Sequence, residues 1–107
     1  MTFKCVDGGR LNPNLKKHSF EVFGYDFMID EDMKPWLIEV NTNPCLEETS
    51  ALLKQYLPRM IDDAFRLTLD VVYPPPFSNS GNRKKFGIDG YDDDENLWRH
   101  VFTLKPQ

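Results

Sequence analysis

A chain of 107 residues holds at most one small domain, and its net charge of -4 excludes a general nucleic-acid binder, which needs Lys and Arg clustered against phosphates. Arg83, Lys84 and Lys85 form too weak a basic cluster to change that. With 40% hydrophobic and 13% aromatic residues the chain is not compositionally disordered, because it has apolar surface to bury, alone or against a partner.

Cys5 and Cys45 lie far apart without a C-x-x-C spacing, and no signal peptide precedes them, so reduced thiols in a cytoplasmic protein are expected. The longest apolar runs, such as Trp36 to Ile38, fall far short of the roughly 20 residues of a membrane span. A soluble protein with no membrane partner is expected.

Residues 1–18 mix Gly8, Gly9, Asn12, Pro13 and Asn14 with Lys16 and Lys17 and read as an extended leader. Ser19 to Asp30 is dense in aromatic and β-branched residues and stops at Asp30-Glu31-Asp32, which predicts one strand. Trp36 to Val40, entered at Pro35 and closed by Asn41-Thr42-Asn43-Pro44, predicts a second. Together they read as a β-hairpin over 19–41.

Beyond Glu47 and Glu48 the period changes. Leu52, Leu53, Tyr56, Leu57, Met60, Ile61, Ala64, Phe65, Thr68, Val71 and Val72 recur at three- and four-residue steps, the mark of an amphipathic helix. Thr49 or Ser50 is placed to cap its start, where Glu47 and Glu48 suit the positive end of the helix dipole. Pro58 lacks an N–H and crowds the preceding turn, so two helices are expected, near 50–56 and 58–72. Pro74-Pro75-Pro76 ends the second, and residues 74–107 read as a linker followed by an acidic and aromatic tail. In that tail Asp92 to Glu95 precede Leu97, Trp98, Val101, Phe102 and Leu104, a short amphipathic piece suited to docking back on the domain or onto a partner.

The hairpin concentrates carboxylates. If Glu31 to Lys34 form a four-residue turn, Asp30 faces Pro35 and Asp26 faces Glu39, and opposed residues share a face. Asn41 lies two residues beyond Glu39 and points the same way. A one-residue slip would send Asp26 to the other face. Two carboxylates about 5 Å apart repel by about 3 kcal/mol at an effective dielectric near 20, which a hard divalent cation would offset. Mg²⁺ takes such oxygen ligands and completes its shell with water and phosphates. The plainer reading is that both carboxylates are solvated on an exposed strand face.

Phe-Gly-Tyr-Asp-Phe-Met-Ile-Asp (23–30), Lys-Pro-Trp-Leu-Ile-Glu-Val-Asn (34–41) and Asn43-Pro44 together resemble the signature near the end of the catalytic domain of the tubulin tyrosine ligase-like family. The likeness spans about Asn12 to Pro75. It implies an ATP-grasp architecture of α+β class, with 19–73 forming the C-terminal part of the ligase domain: a β-hairpin of an antiparallel sheet backed by C-terminal helices. It implies ATP and Mg²⁺ as cofactors. By position it carries the family's metal ligands, which bridge to the ATP phosphates, onto Asp26, Glu39 and Asn41. The implied chemistry is ATP-dependent amide formation, in which a tubulin carboxylate is activated as an acyl phosphate and attacked by the amino group of tyrosine, glutamate or glycine. No catalytic residue beyond the metal ligands is implied, in keeping with the lack of a Ser/His/Asp or Cys/His constellation.

The implied partners are tubulin or microtubules and the rest of the ligase domain or a larger complex, in a cytoplasmic, cytoskeletal setting that includes the cilium. The departure from the family is length: the nucleotide-contacting lysines, the covering loop and the N-terminal domain have no room before Ser19. Two readings therefore stand, a fragment of a tubulin amino-acid ligase and a truncated non-catalytic subunit of a larger assembly. Either way the 107-residue chain alone is expected to be inactive.

Among other residues, Phe20, Phe23, Tyr25, Phe27 and Trp36 read as core, Gly24 as a bulge or a close approach, and Asp30 as a turn former. His18 and His100 are isolated, without the paired spacing of a zinc site. Thr42 and Asn43 either position substrate or shape the turn, and Asp92 to Glu95 read as solvated charge.

Overall fold

The computed structural model describes residues 17–75 and 86–104. The leader up to Lys16, with Cys5, and most of the linker, with Arg83 to Lys85, lie outside the described residues. In chain order the elements are β1 (Gly24–Ile29), β2 (Pro35–Asn41), α1 (Ala51–Leu67) and α2 (Leu69–Val72). The strands form a two-stranded antiparallel sheet, so the α+β class holds for a partial domain.

β1 is shorter than the residue pattern predicts. A strand needs a partner for its backbone groups, and β2 ends at Asn41 opposite Gly24, so residues 19–23 have no ladder to join. The turn also differs from the expected four residues. Ile29, not Asp30, faces Pro35, and five residues from Asp30 to Lys34 close the hairpin. Asp30 organises it: Oδ1 accepts the backbone N–H groups of Asp32 (2.9 Å) and Lys34 (3.0 Å), and Oδ2 accepts the indole N–H of Trp36 (2.9 Å). Met33 takes the left-handed conformation (φ 63°) that lets so tight a loop close. A cation–π contact places Lys34 Nζ 4.2 Å from the centre of the Trp36 ring.

These bonds, the Trp36 indole first and the Lys34 N–H next, hold the Asp30 carboxyl below its ordinary value of 3.8. A carboxyl depressed in the folded state adds stability above its unfolded value and loses it as pH falls through the folded one. The hairpin tip is thus expected to loosen on acidification below 3.8, seen as loss of the Trp36 indole N–H resonance. In Asp30→Asn that acid transition should flatten.

α1 is capped by Ser50, whose Oγ accepts the N–H of Leu53 (3.2 Å), and runs without a break through Pro58. The expected division at Pro58 is therefore corrected: the interruption falls at Thr68, whose hydroxyl donates to the Ala64 carbonyl (2.8 Å). Pro58 withholds an N–H from the Lys54 carbonyl, at a cost of about 3 kcal/mol in an unsupported helix. Support comes from the next residue. Arg59 is wholly buried, as is Asp63 one turn on.

The Arg59 guanidinium gathers the tail. Its Nε donates to Asp63 Oδ2 (3.0 Å), Nη1 to the Phe86 carbonyl (3.3 Å), and Nη2 to the carbonyls of Asp92 (2.9 Å) and Glu95 (2.6 Å). Asp63 Oδ2 also accepts the Leu97 N–H (2.8 Å). Asn96 donates its amide to the Asp63 carbonyl (2.9 Å), and the Trp98 indole N–H donates to the Met60 carbonyl (2.9 Å). Residues 86–104 thus wrap α1 as an irregular strap whose centre is a buried ion pair.

Among the described residues the buried hydrophobic side chains are Ala64 and Ile88. No Cα of either strand comes within 8 Å of one in α1, so the layer over the helix is the tail rather than the sheet. Of the five aromatics expected in a core, Phe20, Phe27 and Trp36 are exposed, by 50%, 59% and 52%, while Phe23 and Tyr25 are half-buried. The hairpin is exposed from Asp26 to Ile29 and from Pro35 to Glu39 and half-buried only at its open end, which is the physical reason for the correction at Phe27 and Trp36.

Candidate functional site

Along β1, Gly24, Asp26 and Met28 project from one face, and Tyr25, Phe27 and Ile29 from the other. The stacked rings of Tyr25 and Phe27, 6.2 Å apart, mark the second face. Across the sheet Gly24 faces Asn41, Asp26 faces Glu39, Phe27 faces Leu37 and Met28 faces Trp36. The register shifts between Asp26 and Phe27, so Ile38 is the extra residue of a β-bulge. The bulge restores at Asp26 the register that the five-residue turn displaces. Without it, the longer turn would set Asp26 opposite Ile38 and on the other side from Glu39.

The three candidate residues come together at the open end of this hairpin. Asn41 Nδ2 donates to Asp26 Oδ2 (3.1 Å) and lies 3.4 Å from Glu39 Oε1, so one amide joins both carboxylates. Asp26 and Glu39 are exposed and Asn41 is half-buried. The position held by the amide NH₂ is one where two anionic oxygens converge on a donor. A half-turn of the amide exchanges Nδ2 for Oδ1, since the two ends have the same shape. The set then becomes three hard oxygens, which fits Mg²⁺ and not a softer, nitrogen- or sulfur-preferring ion. Among the described residues no group of three His, Cys, Asp or Glu side chains is placed to hold a metal. Two carboxylates and an amide are the donors here.

Asp30, by contrast, has both oxygens taken by the turn, and Cys45 is exposed with a free thiol. Residue patterns miss one feature altogether and leave a second half-read. Arg59 and Asp63, one turn apart, read as an ordinary exposed helix pair, although Tyr56, Met60, Ala64 and Leu67 flank them on the same side of the helix. Gly24, read as a bulge or a close approach, does meet a close approach, but strand periodicity does not reveal that the neighbour is Pro44.

The sequence matches the model of the tubulin-tyrosine ligase family over residues 3–80. The chain belongs to that family. It is similar to tubulin glycylase 3D of Tetrahymena thermophila, 42% identical over 55 residues, which is 51% of this chain and 5% of that protein. It is equally similar, at 42% over 69 residues, to the probable alpha-tubulin polyglutamylase Ttll1 of the same organism, covering 64% of this chain and 16% of the relative. With the probable tubulin polyglutamylase TTLL9 of Mus musculus it shares 59% identity over 34 residues, 32% of this chain and 7% of the relative. The ligase-family chain thus spans between 5% and 16% of the length of these relatives. No solved structure matches it. No helix among the described residues is long and apolar enough to cross a membrane.

Proposed function

We propose that this chain carries the Mg²⁺- and ATP-phosphate-holding face of an ATP-dependent ligase that attaches an amino acid to tubulin, with Asp26, Glu39 and Asn41 as the ion's protein ligands. The observation behind this reading is the single amide of Asn41 lying between the Asp26 and Glu39 carboxylates. Relatives named for glycine addition and for glutamate addition resemble this chain at the same 42% identity. Such a segment suits the part of the reaction common to both, which is handling ATP, rather than the choice of amino acid. Tubulin as substrate and a cytoskeletal setting draw on the same relatives' names, and a ciliary place within it draws on the family resemblance alone.

Bound there, Mg²⁺ would supply charge neutralisation for the phosphoryl group being transferred. The chain's own part is electrostatic and geometric. Asp26 and Glu39 supply two anionic oxygens from opposed strands, and Asn41 fixes their separation with its amide. Because the hairpin ladder sets all three, the site is built on paired backbone rather than on a loop.

Paramagnetic Mn²⁺ added with ATP to the labelled chain tests the assignment. Broadening should centre on Asp26, Glu39 and Asn41; its absence there at millimolar ion, or its concentration elsewhere, would defeat the reading. Affinity should be low, because an open three-oxygen face leaves a hard ion largely hydrated.

This chain alone is expected to show no ATP-dependent ligation. Phosphoryl transfer relies on charge stabilisation from several sides, and the hairpin offers one. Incubation with ATP, Mg²⁺, tubulin and labelled tyrosine, glutamate or glycine, beside a complete ligase, checks this. Incorporation that depends on Asp26 and Glu39 would show that the chain finds the other sides of its cleft elsewhere. A second reading, a non-catalytic assembly subunit, draws on the exposure of Phe27, Met28, Ile29, Leu37 and Ile38 over both hairpin faces. It predicts stable binding to a larger complex that survives loss of Glu39.

A further inference from the structure

We propose that Gly24 is a positioning residue for the carboxylate–amide site: its missing side chain leaves a seat for Pro44 on the site face, and Pro44 in turn holds Asn41 between Asp26 and Glu39. The inference rests on the metal-holding reading of those three residues.

Gly24 has no conformational need to be glycine. Among the described residues the glycine with positive φ is Gly90 (φ 91°), so the Gly24 backbone is one that any residue adopts. In a strand interior glycine is a poor choice, since it brings no packing and loses more freedom on folding. The reason for it is spatial. A Cβ built on Gly24 would sit 3.0 Å from Pro44 Cβ, 3.9 Å from Pro44 Cα and 3.8 Å from Asn41 Cβ. Carbon atoms pack best at about 3.5–4.0 Å, so the Asn41 contact would be ordinary and the Pro44 contact repulsive.

Pro44 therefore fills the place on the site face that a side chain at position 24 would take. Gly24 is the cross-strand partner of Asn41, and Asp26 is the next residue of β1 on that face. Pro44 thus closes the end of the patch beyond Asn41, opposite the Met28–Trp36 end. Its Cβ belongs to a ring and cannot swing aside as a flexible side chain does. Any displacement passes to the backbone, and Thr42 and Asn43 are the only residues between Pro44 and Asn41. Crowding at position 24 would shift the Asn41 side chain, and with it the bond lengths of 3.1 and 3.4 Å to the two carboxylates.

The test uses the full chain, isotope-labelled, in four forms: wild type, Gly24→Ala, Pro44→Gly and the double variant. Without metal, the Asn41 side-chain NH₂ resonances should stand apart from those of solvated amides in the wild type. They should move to random-coil positions in each single variant. In the double variant the alanine methyl takes the place vacated by the proline ring, and the resonances should return toward wild type. With Mn²⁺ as probe, broadening at Asp26, Glu39 and Asn41 should need roughly tenfold more ion in the single variants, the low end of the 10–100-fold cost of losing a ligand's supporting contact. The double variant should lie near wild type.

The Leu97 backbone N–H, bonded to Asp63, reports that the rest of the fold is intact. If Gly24→Ala disturbs Leu97 as well, Pro44→Gly decides alone. Unchanged Asn41 resonances in either single variant overturn the proposal, and so does a double variant no closer to wild type than the singles. A wild-type chain with no Mn²⁺ broadening at the three residues defeats the metal reading instead, and the metal-free amide resonances still decide the positioning role.

Discussion

Replacing Arg59 with alanine is expected to destabilise the chain by about 3–5 kcal/mol, the usual cost of removing one partner from a buried ion pair. Asp63, wholly buried, would lose its ion-pair partner, and the carbonyls of Phe86, Asp92 and Glu95 would lose the donor that gathers them. Native domains are stable by about 5–15 kcal/mol, and this one has Ala64 and Ile88 as its buried hydrophobics among the described residues. The loss is thus a large share of the total. The strap over 86–104 should open first, because the Leu97 N–H and the Trp98 indole depend on the same stretch of helix. Hydrogen exchange at Leu97 and urea unfolding followed at Trp98 would measure it. Replacing both members, Arg59→Met with Asp63→Leu, should cost less than either single change, since no charge is then left buried without its partner. A double variant as damaged as the sum of the singles would show that the carbonyl contacts, rather than the ion pair, carry the effect.

In a complete ligase containing this segment, Glu39→Gln is expected to lower kcat by at least about 10²–10³-fold. Charge stabilisation by a bound metal contributes several kcal/mol at the transition state, and each 1.36 kcal/mol is tenfold in rate. The fold should be unaffected or slightly firmer. Glu39 is exposed, faces Asp26 across the strands, and its neutral amide would remove a like-charge repulsion. Steady-state kinetics together with a melting curve separate the two effects. Turnover close to wild type would refute Glu39 as a metal ligand, whereas a lowered melting temperature would assign it a structural part.

The residue pattern shows the hairpin, the helix and the candidate triad, but reaches the triad by a route the structure does not take. A four-residue turn with unbroken pairing sets Asp26 opposite Glu39; so does the observed five-residue turn followed by a bulge at Ile38. Two departures of one residue each cancel at the site. They do not cancel nearer the turn, where Met28 faces Trp36 rather than Leu37. Turn length depends on Asp30 capturing two backbone N–H groups and the Trp36 indole, and that choice is made in three dimensions.

The sequence by itself determined what local physics determines. The aromatic and β-branched density of 19–30 and the apolar run 36–40 demand a strand pair, three- and four-residue steps demand a helix after Ser50, and a hairpin register puts Asp26, Glu39 and Asn41 on one face. Only the tertiary structure decided which residues are buried. Arg59 and Asp63 lie at the centre because the tail returns across residues separated by 27 to 36 positions and offers them carbonyls and an N–H. The same return lets α1 run through Pro58, since a helix held from outside tolerates one missing hydrogen bond. No periodicity encodes such contacts: a buried charge is stable only where partners from distant parts of the chain satisfy it, and those partners exist only once the chain has folded.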